Sequence, residues 1–320
     1  RDFGRNNPIA ANIHRRIAGH MVGAGIVPSV QANKKQKAML RELISDHLEK
    51  LGIDYDGRLN LYGLQHLAAR TVVESGEALL VRYSQPDRNL AVPLQVRLLE
   101  GDYLDHHKNG HTPDGNILFQ GIEFTPRGKR VAYWIFDEHP GGGIGWKMPV
   151  SRRVAASEVR HIYRIDRPGQ QRGIPWGAPG IMTMWDLASY EEAELMRQKI
   201  AECFCIFFTG PESGSMAAGA GRSAAGNPVA TLEPGLIQAL PSGAQVTTAT
   251  PPISNGYRDV TLNAARKICI AYGVPYEVGT GDLSGVSFIS GRLGRIDFNI
   301  DVDTWRWHML IPHLCDGIAE

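Results

Sequence analysis

The residues best suited to chemistry are histidines and aspartates that lie close together in the first half of the chain. His106, His107 and His111 follow Asp102 and Asp105 within one short segment. Imidazole nitrogens and carboxylate oxygens bind zinc and other divalent ions. Their spacing matches no established metal motif, and the surrounding residues are typical of a solvated loop. We therefore predict no metal ion and no cofactor here.

A serine and an aspartate lie together in the stretch Gly281-Asp-Leu-Ser-Gly285. A serine nucleophile on a sharp turn is typically found in the pattern Gly-x-Ser-x-Gly, which this stretch lacks. We interpret Ser284 and Asp282 as loop and turn residues, with Asp282 suited to capping a local turn.

Two further patterns indicate no catalytic site. Cys203 and Cys205 form a Cys-x-Cys pair, but no other cysteine lies near them in sequence, so we interpret them as small buried hydrophobic residues. The glycine-rich stretch 141–145 lacks the Lys-Ser/Thr of a phosphate-binding loop and is typical of a flexible hairpin tip. The chain is therefore predicted not to be an enzyme and not to contain a phosphate-binding ATPase loop.

The composition allows a packed core without a strongly basic surface. Of 320 residues, 43% are hydrophobic and 21% are charged, and the formal net charge is +1. A protein that binds nucleic acid through many phosphate contacts is usually far more basic. No apolar run is long enough to span a bilayer and no signal peptide opens the sequence, so no membrane partner is expected. The sequence begins without Met and ends within a helical pattern, which favours a fragment of a longer polypeptide.

The first 165 or so residues predict an α+β domain, with helices before mostly antiparallel strands. Asn7 and Pro8 are typical of a helix start, and apolar residues then recur every four positions until Gly23. Further helices are expected at about 34–51 and 61–74. The strand-like runs are 77–83, 94–99, 117–124, 130–136 and 159–165, and residues 125–129 predict a hairpin turn.

The second half alternates helix, insert, helix, loop and helix. A Pro/Gly linker at 167–175 precedes a helix at about 179–204. A small insert follows at 205–255, with strand candidates at 236–240 and 244–248. Helix resumes at about 257–272. The last helical segment contains Pro312, which should kink or break it.

The segment from Gly273 to Arg292 is a Gly/Ser-rich linker between helices. Before Arg292 its only ionisable residues are Glu277 and Asp282, tyrosine aside. A long loop in a compact domain is usually functional or disordered. We predict that this one is a flexible loop that contacts something moving past it.

Several motifs, in this order, resemble those of the portal proteins of tailed bacteriophages, most of all the lambda-type family. They are Arg167-Pro-Gly-Gln with Arg172-Gly-Ile, Asp186-Leu with Tyr190-Glu-Glu-Ala-Glu-Leu, Leu232-Glu-Pro-Gly235, Gly273-Val-Pro-Tyr-Glu277, Thr280-Gly-Asp-Leu-Ser284 and Ser290-Gly-Arg292. The chain departs from the family at Gly279, where Leu is usual, and at Ser287-Phe-Ile-Ser290, where an Asn-Tyr-Ser-Ser-like run is usual.

The resemblance implies a portal fold with an α/β wing, two stem helices, a small β-containing clip, a tunnel loop and a long kinked wing helix. The corresponding segments are a wing at 1–178, stem helices at 179–204 and 256–273, a clip at 205–255, a tunnel loop at 279–291 and a long wing helix at 292–320, with a C-terminal crown region beyond.

The resemblance also implies partners. It implies a ring of twelve subunits at one capsid vertex of the virion, assembled in the host bacterial cytoplasm, through which double-stranded DNA is packaged and ejected. The other partners implied are the terminase large subunit, the major capsid and scaffold proteins and the head–tail connector or adaptor.

The site residues implied belong to the tunnel loop and to the start of the following helix. They are Gly279, Thr280, Gly281, Asp282, Leu283, Ser284, Gly285, Val286, Ser287, Phe288, Ile289, Ser290, Arg292 and Arg295, with Arg266 and Lys267 as stem residues that could face a channel. Arg292 and Arg295 could contact phosphate, or could form an intersubunit ion pair or a solvated face.

Two other classes of function remain alternatives. The first is a hydrolase with a Ser or His/Asp site in the α+β domain. The second is a general DNA-binding module, which the near-neutral charge disfavours because such a module should bind duplex with strong salt dependence.

Overall fold

The computed structural model describes residues 1–84, 90–142, 150–202, 205–209, 221–222, 228–229, 245–249 and 256–319. The chain divides into two compact units, one formed by residues 1–184 and 262–320 and the other by residues 185–261. Within the described residues, no helix combines the length and apolar character needed to cross a bilayer.

The helices are α1 Asp2–Asn6, α2 Pro8–Val22, α3 Lys34–Leu43, α4 Leu61–Ser75, α5 Ile181–Glu202, α6 Tyr257–Tyr272, α7 Tyr276–Thr280, α8 Phe288–Trp305 and α9 Asp316–Ala319. Wider π-helical turns cover Ile44–Leu48 and Arg306–Cys315. The strands are β1 Glu77–Ser84, β2 Leu94–Glu100, β3 Gly110–His111, β4 Ile117–Phe119, β5 Ile122–Phe124, β6 Arg130–Phe136, β7 Ser151–Ala155, β8 Val159–Tyr163, β9 Cys205–Thr209, β10 Gly221–Arg222, β11 Pro228–Val229 and β12 Gln245–Ala249.

The first long helix, α2, starts as its sequence predicts. The Asn7 side chain accepts hydrogen bonds from the amides of Ile9 and Ala10 at 3.0 and 3.1 Å, and Pro8 occupies the first helical position. This cap satisfies two amides that otherwise lack partners at a helix start. Ile13 and Ile17 are fully buried, so the predicted apolar stripe is the face that packs into the core.

Two antiparallel sheets share the core of the larger unit. One has the order β2-β1-β8 and the other the order β3-β4-β5-β6-β7. Their buried side chains form one cluster: Leu79, Val81, Leu99, Leu104, Ile122, Phe124, Tyr133, Ile135, Val154 and Val159. The hairpin predicted at 125–129 is present, with Gly128 in the left-handed region at φ +82°. The expected α+β architecture is therefore confirmed.

Two features of these sheets differ from the sequence expectation. The run 117–124 is not one strand, because it folds back on itself so that Ile117 pairs with Phe124. Gln120 and Gly121 form the tight turn, with φ of 47° and 81°. Two consecutive left-handed residues suit a two-residue hairpin connection. Strand β7 pairs with β6 and was not predicted.

The linker at 167–175 is held to the first sheet by a buried carboxylate. Glu77 accepts hydrogen bonds from Arg172 Nε at 2.7 Å, from the Gly173 amide at 2.8 Å and from His161 Nε2 at 2.9 Å. Burial alone would raise the pKa of Glu77, but the hydrogen bonds from His161 and Arg172 outweigh it and lower that pKa to about 2. The linker is thereby fixed against β1 and β8.

The smaller unit contains the insert. Strands β9 and β12 pair antiparallel, with Cys205 opposite Ala249, and β10 pairs with β11. The strand candidate at 244–248 corresponds to β12, whereas the candidate at 236–240 lies outside the described residues. Strand β9 was not predicted. The rings of Tyr190 on α5 and Tyr257 on α6 stack at 6.0 Å between centroids.

Candidate functional site

The segment between α6 and α8 is more ordered than its composition predicts. Instead of one long loop, residues Tyr276–Thr280 form α7, and α8 already begins at Phe288. The irregular part is only 281–287. Within the predicted segment 279–291, Gly279 and Thr280 belong to α7, and Phe288, Ile289 and Ser290 belong to α8. Arg292 and Arg295 lie near the start of α8, the helix in which they were expected.

Gly279 is a packing residue and not a flexible hinge. It is buried, and its carbonyl oxygen accepts a 2.6 Å hydrogen bond from Asn12 Nδ2 on α2. A Cβ atom at this position would lie 2.5 Å from the Cys269 Sγ and 3.3 Å from Ile13 Cγ1. Glycine therefore lets α7 sit directly against α2 and α6, which fixes the start of the loop.

The first residues of the loop form a hydrogen-bonded turn. Gly281 ends α7 with φ +81°, and the Asp282 carboxylate accepts from the Ser284 amide at 2.9 Å and from the Tyr276 hydroxyl at 3.1 Å. Burial, followed by this hydrogen bond to Asp282, raises the pKa of Tyr276. The Arg266 guanidinium lies 5.7 Å from the centre of the Tyr276 ring. Asp282 thus has a structural role in the turn.

The end of the loop is fixed by a cap on α8. The Ser287 side chain accepts from the Ser290 amide at 3.2 Å, and the Ser290 hydroxyl accepts from the Ser287 amide at 3.0 Å. This reciprocal arrangement is a capping box. The Ser-Phe-Ile-Ser run that departs from the family pattern therefore starts a helix.

The exposed part of the segment is apolar with two arginines beside it. Leu283, Val286 and Phe288, together with Arg292 and Arg295, line an open depression of about 410 Å³. Both arginines are exposed and form no ion pair within the described part of the chain. They are available to an anion or to a carboxylate of another molecule. Lys267 on α6 is exposed as well.

The polar clusters considered for hydrolysis have structural partners. The carboxylate of buried Asp105 accepts from Ser151 Oγ at 2.6 Å, and the ring centroids of His106 and His107 lie 3.9 Å apart with the rings tilted by 42°. Ser284 lies in the turn of Asp282 described above. These groups form no triad of nucleophile, base and orienting acid.

Among the described residues, one group has donor atoms close enough for a metal ion: Glu100, Asp102 and His139. Sequence reasoning missed it because His139 lies on a distant segment. Arg1 forms ion pairs with both Glu100 and Asp102. A guanidinium thus already supplies the positive charge that these carboxylates require.

Residues 1–306 match the family described as phage portal protein, lambda family, and the chain belongs to this family. A curated relative, the probable portal protein of Halomonas phage phiHAP-1, is 26% identical over 320 residues, covering 93% of this chain and 60% of that protein. The chain therefore spans about three fifths of the length of that relative.

Solved structures share the fold at low sequence identity. The neck of a native GTA particle computed with C12 symmetry has a TM-score of 0.53 and 14% identity, covering 99% of this chain and 82% of that chain. The virion of a native gene transfer agent particle has a TM-score of 0.51 and 14% identity, covering 96% and 78%. The portal fold expected from the resemblance is confirmed.

Proposed function

We propose that this chain is the subunit of a portal ring at one vertex of a phage capsid. The ring serves as the conduit for double-stranded DNA during packaging and ejection. The observation that carries this proposal is membership of the lambda portal family over residues 1–306, together with a fold shared with neck components of a particle.

The segments receive roles by this analogy. Residues 1–178 and 292–320 form the wing, α5 and α6 are the stem helices, and 205–255 form the clip. The tunnel loop is the segment 279–291, in which residues 281–287 are irregular and the residues on either side are helical.

The mechanism is steric and weakly electrostatic. Leu283, Ser284 and Gly285 are exposed at the tip of the loop, where Asp282 is the only ionised residue. Each neutralised phosphate strengthens DNA binding, so many basic contacts would stall a moving duplex. Arg292 and Arg295 add two positive charges beside the loop. On the stem helix α6, Arg266 and Lys267 are the candidates for facing the DNA channel.

The same role defines the partners and the location. The subunits form a homo-oligomer, with twelve as the proposed number. The clip binds the terminase large subunit during packaging and later the head–tail connector, while the wing contacts capsid and scaffold proteins. The protein acts in the virion after assembly in the host bacterial cytoplasm, and has no catalytic activity of its own.

Two experiments test this role. Imaging of the purified particle along its axis should show a ring with a central channel, and a small monomeric particle with hydrolytic activity would instead support an enzyme. Deletion of Leu283, Ser284 and Gly285, which leaves both helix caps in place, should preserve the ring but impair DNA packaging or retention. Normal DNA-filled heads from this deletion would contradict the role of the loop, and Gly285→Ala serves as the matched control.

A further inference from the structure

Helix α8 has two apolar faces on opposite sides. Phe298 and Val302 are buried against the body of the larger unit. On the opposite side lie Ile289, Leu293, Ile296 and Ile300, each between 48% and 72% exposed. Their spacing of four, three and four residues places them on one narrow stripe. We call this stripe the outer face of α8.

An apolar stripe of this kind is typical of a helix that packs against another helix. Large exposed apolar patches on a soluble protein usually mark an interaction surface. On one flank of the stripe lie Asp297 and Asp301, one turn apart. Neither forms an ion pair within the described part of the chain.

Helix α3 has the complementary character. None of its ten residues is buried, and Met39 and Leu40 are 63% and 41% exposed. The helix carries Lys34, Lys35, Lys37 and Arg41 against a single acid, Glu42. None of these four bases forms an ion pair with another described residue. A short helix gains most of its stability from packing of its apolar face, and the described residues bury none of the side chains of α3.

A closed ring of more than two subunits requires two different and complementary patches on each chain. The outer face of α8 and the apolar face of α3 belong to the same compact unit, and they meet this requirement in apolar character and in charge. On α3, Lys37 and Arg41 lie one turn apart on one flank of the apolar side chains, just as Asp297 and Asp301 do on α8.

We propose that α8 of one subunit packs its outer face against α3 of the neighbouring subunit, with Asp297 and Asp301 opposite Lys37 and Arg41. This contact rests on the proposed ring and names the surfaces that close it. It makes the assembly sensitive to ionic strength, because the charged flank is accessible to solvent.

Charge reversal tests the contact in the full-length protein. Asp297→Lys with Asp301→Lys should raise the concentration needed for half-assembly by about tenfold or more, measured by analytical ultracentrifugation and native mass spectrometry. Lys37→Glu with Arg41→Glu should do the same. The protein with all four substitutions should assemble within about threefold of the wild type, because the charges are again complementary.

The matched control reverses two exposed acids away from both helices, Glu138→Lys and Glu158→Lys. This control should assemble like the wild type, and all variants should keep the wild-type circular dichroism and melting temperature as dissociated subunits. Leu293→Ser with Ile300→Ser provides a second, charge-independent variant that should also weaken assembly.

The possible results are distinguishable. If both double variants assemble like the wild type, or if the fourfold variant does not regain wild-type assembly, the contact between α8 and α3 is overturned while the portal role remains intact. A wild-type protein that forms no ring at all overturns the proposed function and this contact together.

Discussion

Asn12 on α2 donates a 2.6 Å hydrogen bond to the carbonyl oxygen of Gly279 on α7, across 267 positions of sequence. This contact holds the short helix that precedes the loop against the body of the larger unit. Its geometry depends on the missing side chain at position 279, because a Cβ atom there would overlap Cys269.

We therefore expect Gly279→Ala to destabilise the protein by about 1–3 kcal/mol, the usual cost of overpacking. Chemical denaturation at neutral pH measures this change. The added variant Cys269→Ala should recover part of the loss, because it removes the Sγ atom that the new methyl group would contact. Gly285→Ala is the control, since nothing lies within 4 Å of its Cβ position. Equal unfolding free energies for Gly279→Ala and Gly285→Ala would contradict the packing role.

The buried pair of His14 and Tyr272 predicts a pH dependence of stability. Their side chains meet at 2.9 Å between Nε2 and the hydroxyl oxygen. Burial, with the nearby charges of the N-terminus and Arg70, lowers the pKa of His14 to about 4. The unfolded chain binds the proton more readily, so stability falls as pH drops below about 6.5 and continues to fall until about 4.

Between pH 7 and pH 5 this effect should cost about 2 kcal/mol. Urea unfolding at the two pH values measures it. His14→Gln should have a smaller loss over this range, while His111→Gln, at an exposed position, should behave like the wild type. If His14→Gln loses as much unfolding free energy between pH 7 and pH 5 as the wild type, the acid sensitivity is due to other groups.

The buried ion pair of Glu77 with Arg172 should contribute more to stability than the exposed ion pair of Asp46 with Lys50. Arg172→Ala leaves a buried charge without its guanidinium partner and should cost about 3–5 kcal/mol of unfolding free energy. Lys50→Ala removes the exposed pair with Asp46, whose side chains are 66% and 50% exposed, and should cost no more than about 0.5 kcal/mol. Comparable losses in the two variants would show that Glu77 is not held as described.

The capping box predicts a local effect at the start of α8. Ser287→Ala removes the acceptor for the Ser290 amide and should weaken the first turn by about 1 kcal/mol. Hydrogen exchange at the amides of Ser290 and Gly291 should become several-fold faster, because this turn opens without global unfolding. Ser284→Ala is a suitable control, since the described hydrogen bond of Ser284 uses its backbone amide. Unchanged exchange in Ser287→Ala would argue against the cap.

The sequence correctly predicts those helices and turns that depend on residues close together in the chain. The Asn7 cap, the hairpin at 125–129 and the helix at α6 all depend on residues within a few positions of one another. The irregular stretch is shorter than the composition predicts because Gly and Ser favour irregular structure on average, whereas Ser287 and Ser290 act together as a cap. The role of Gly279 depends on Ile13 and Asn12, which are distant in sequence, so no local pattern could indicate it.

The candidate site shows the same division. Its location between two helices follows from the sequence. Its exposed apolar lining and the absence of ion pairs at Arg292 and Arg295 among the described residues depend on how α8 packs. Pro312 was expected to kink or break the last helix, and it lies within the π-helical turns between α8 and α9. The wider hydrogen-bonding pattern there accommodates a residue that lacks an amide proton.

The two ends of the 281–287 loop differ in how tightly they are packed. On one side, α7 is anchored at once by buried Gly279 and its bond to Asn12. On the other side, α8 has no buried residue before Phe298, so its first turns are less tightly packed than α7 and depend on the capping box. We therefore expect a force on the loop to bend or fray the start of α8 before it displaces α7, so that the α8 end absorbs most of the movement.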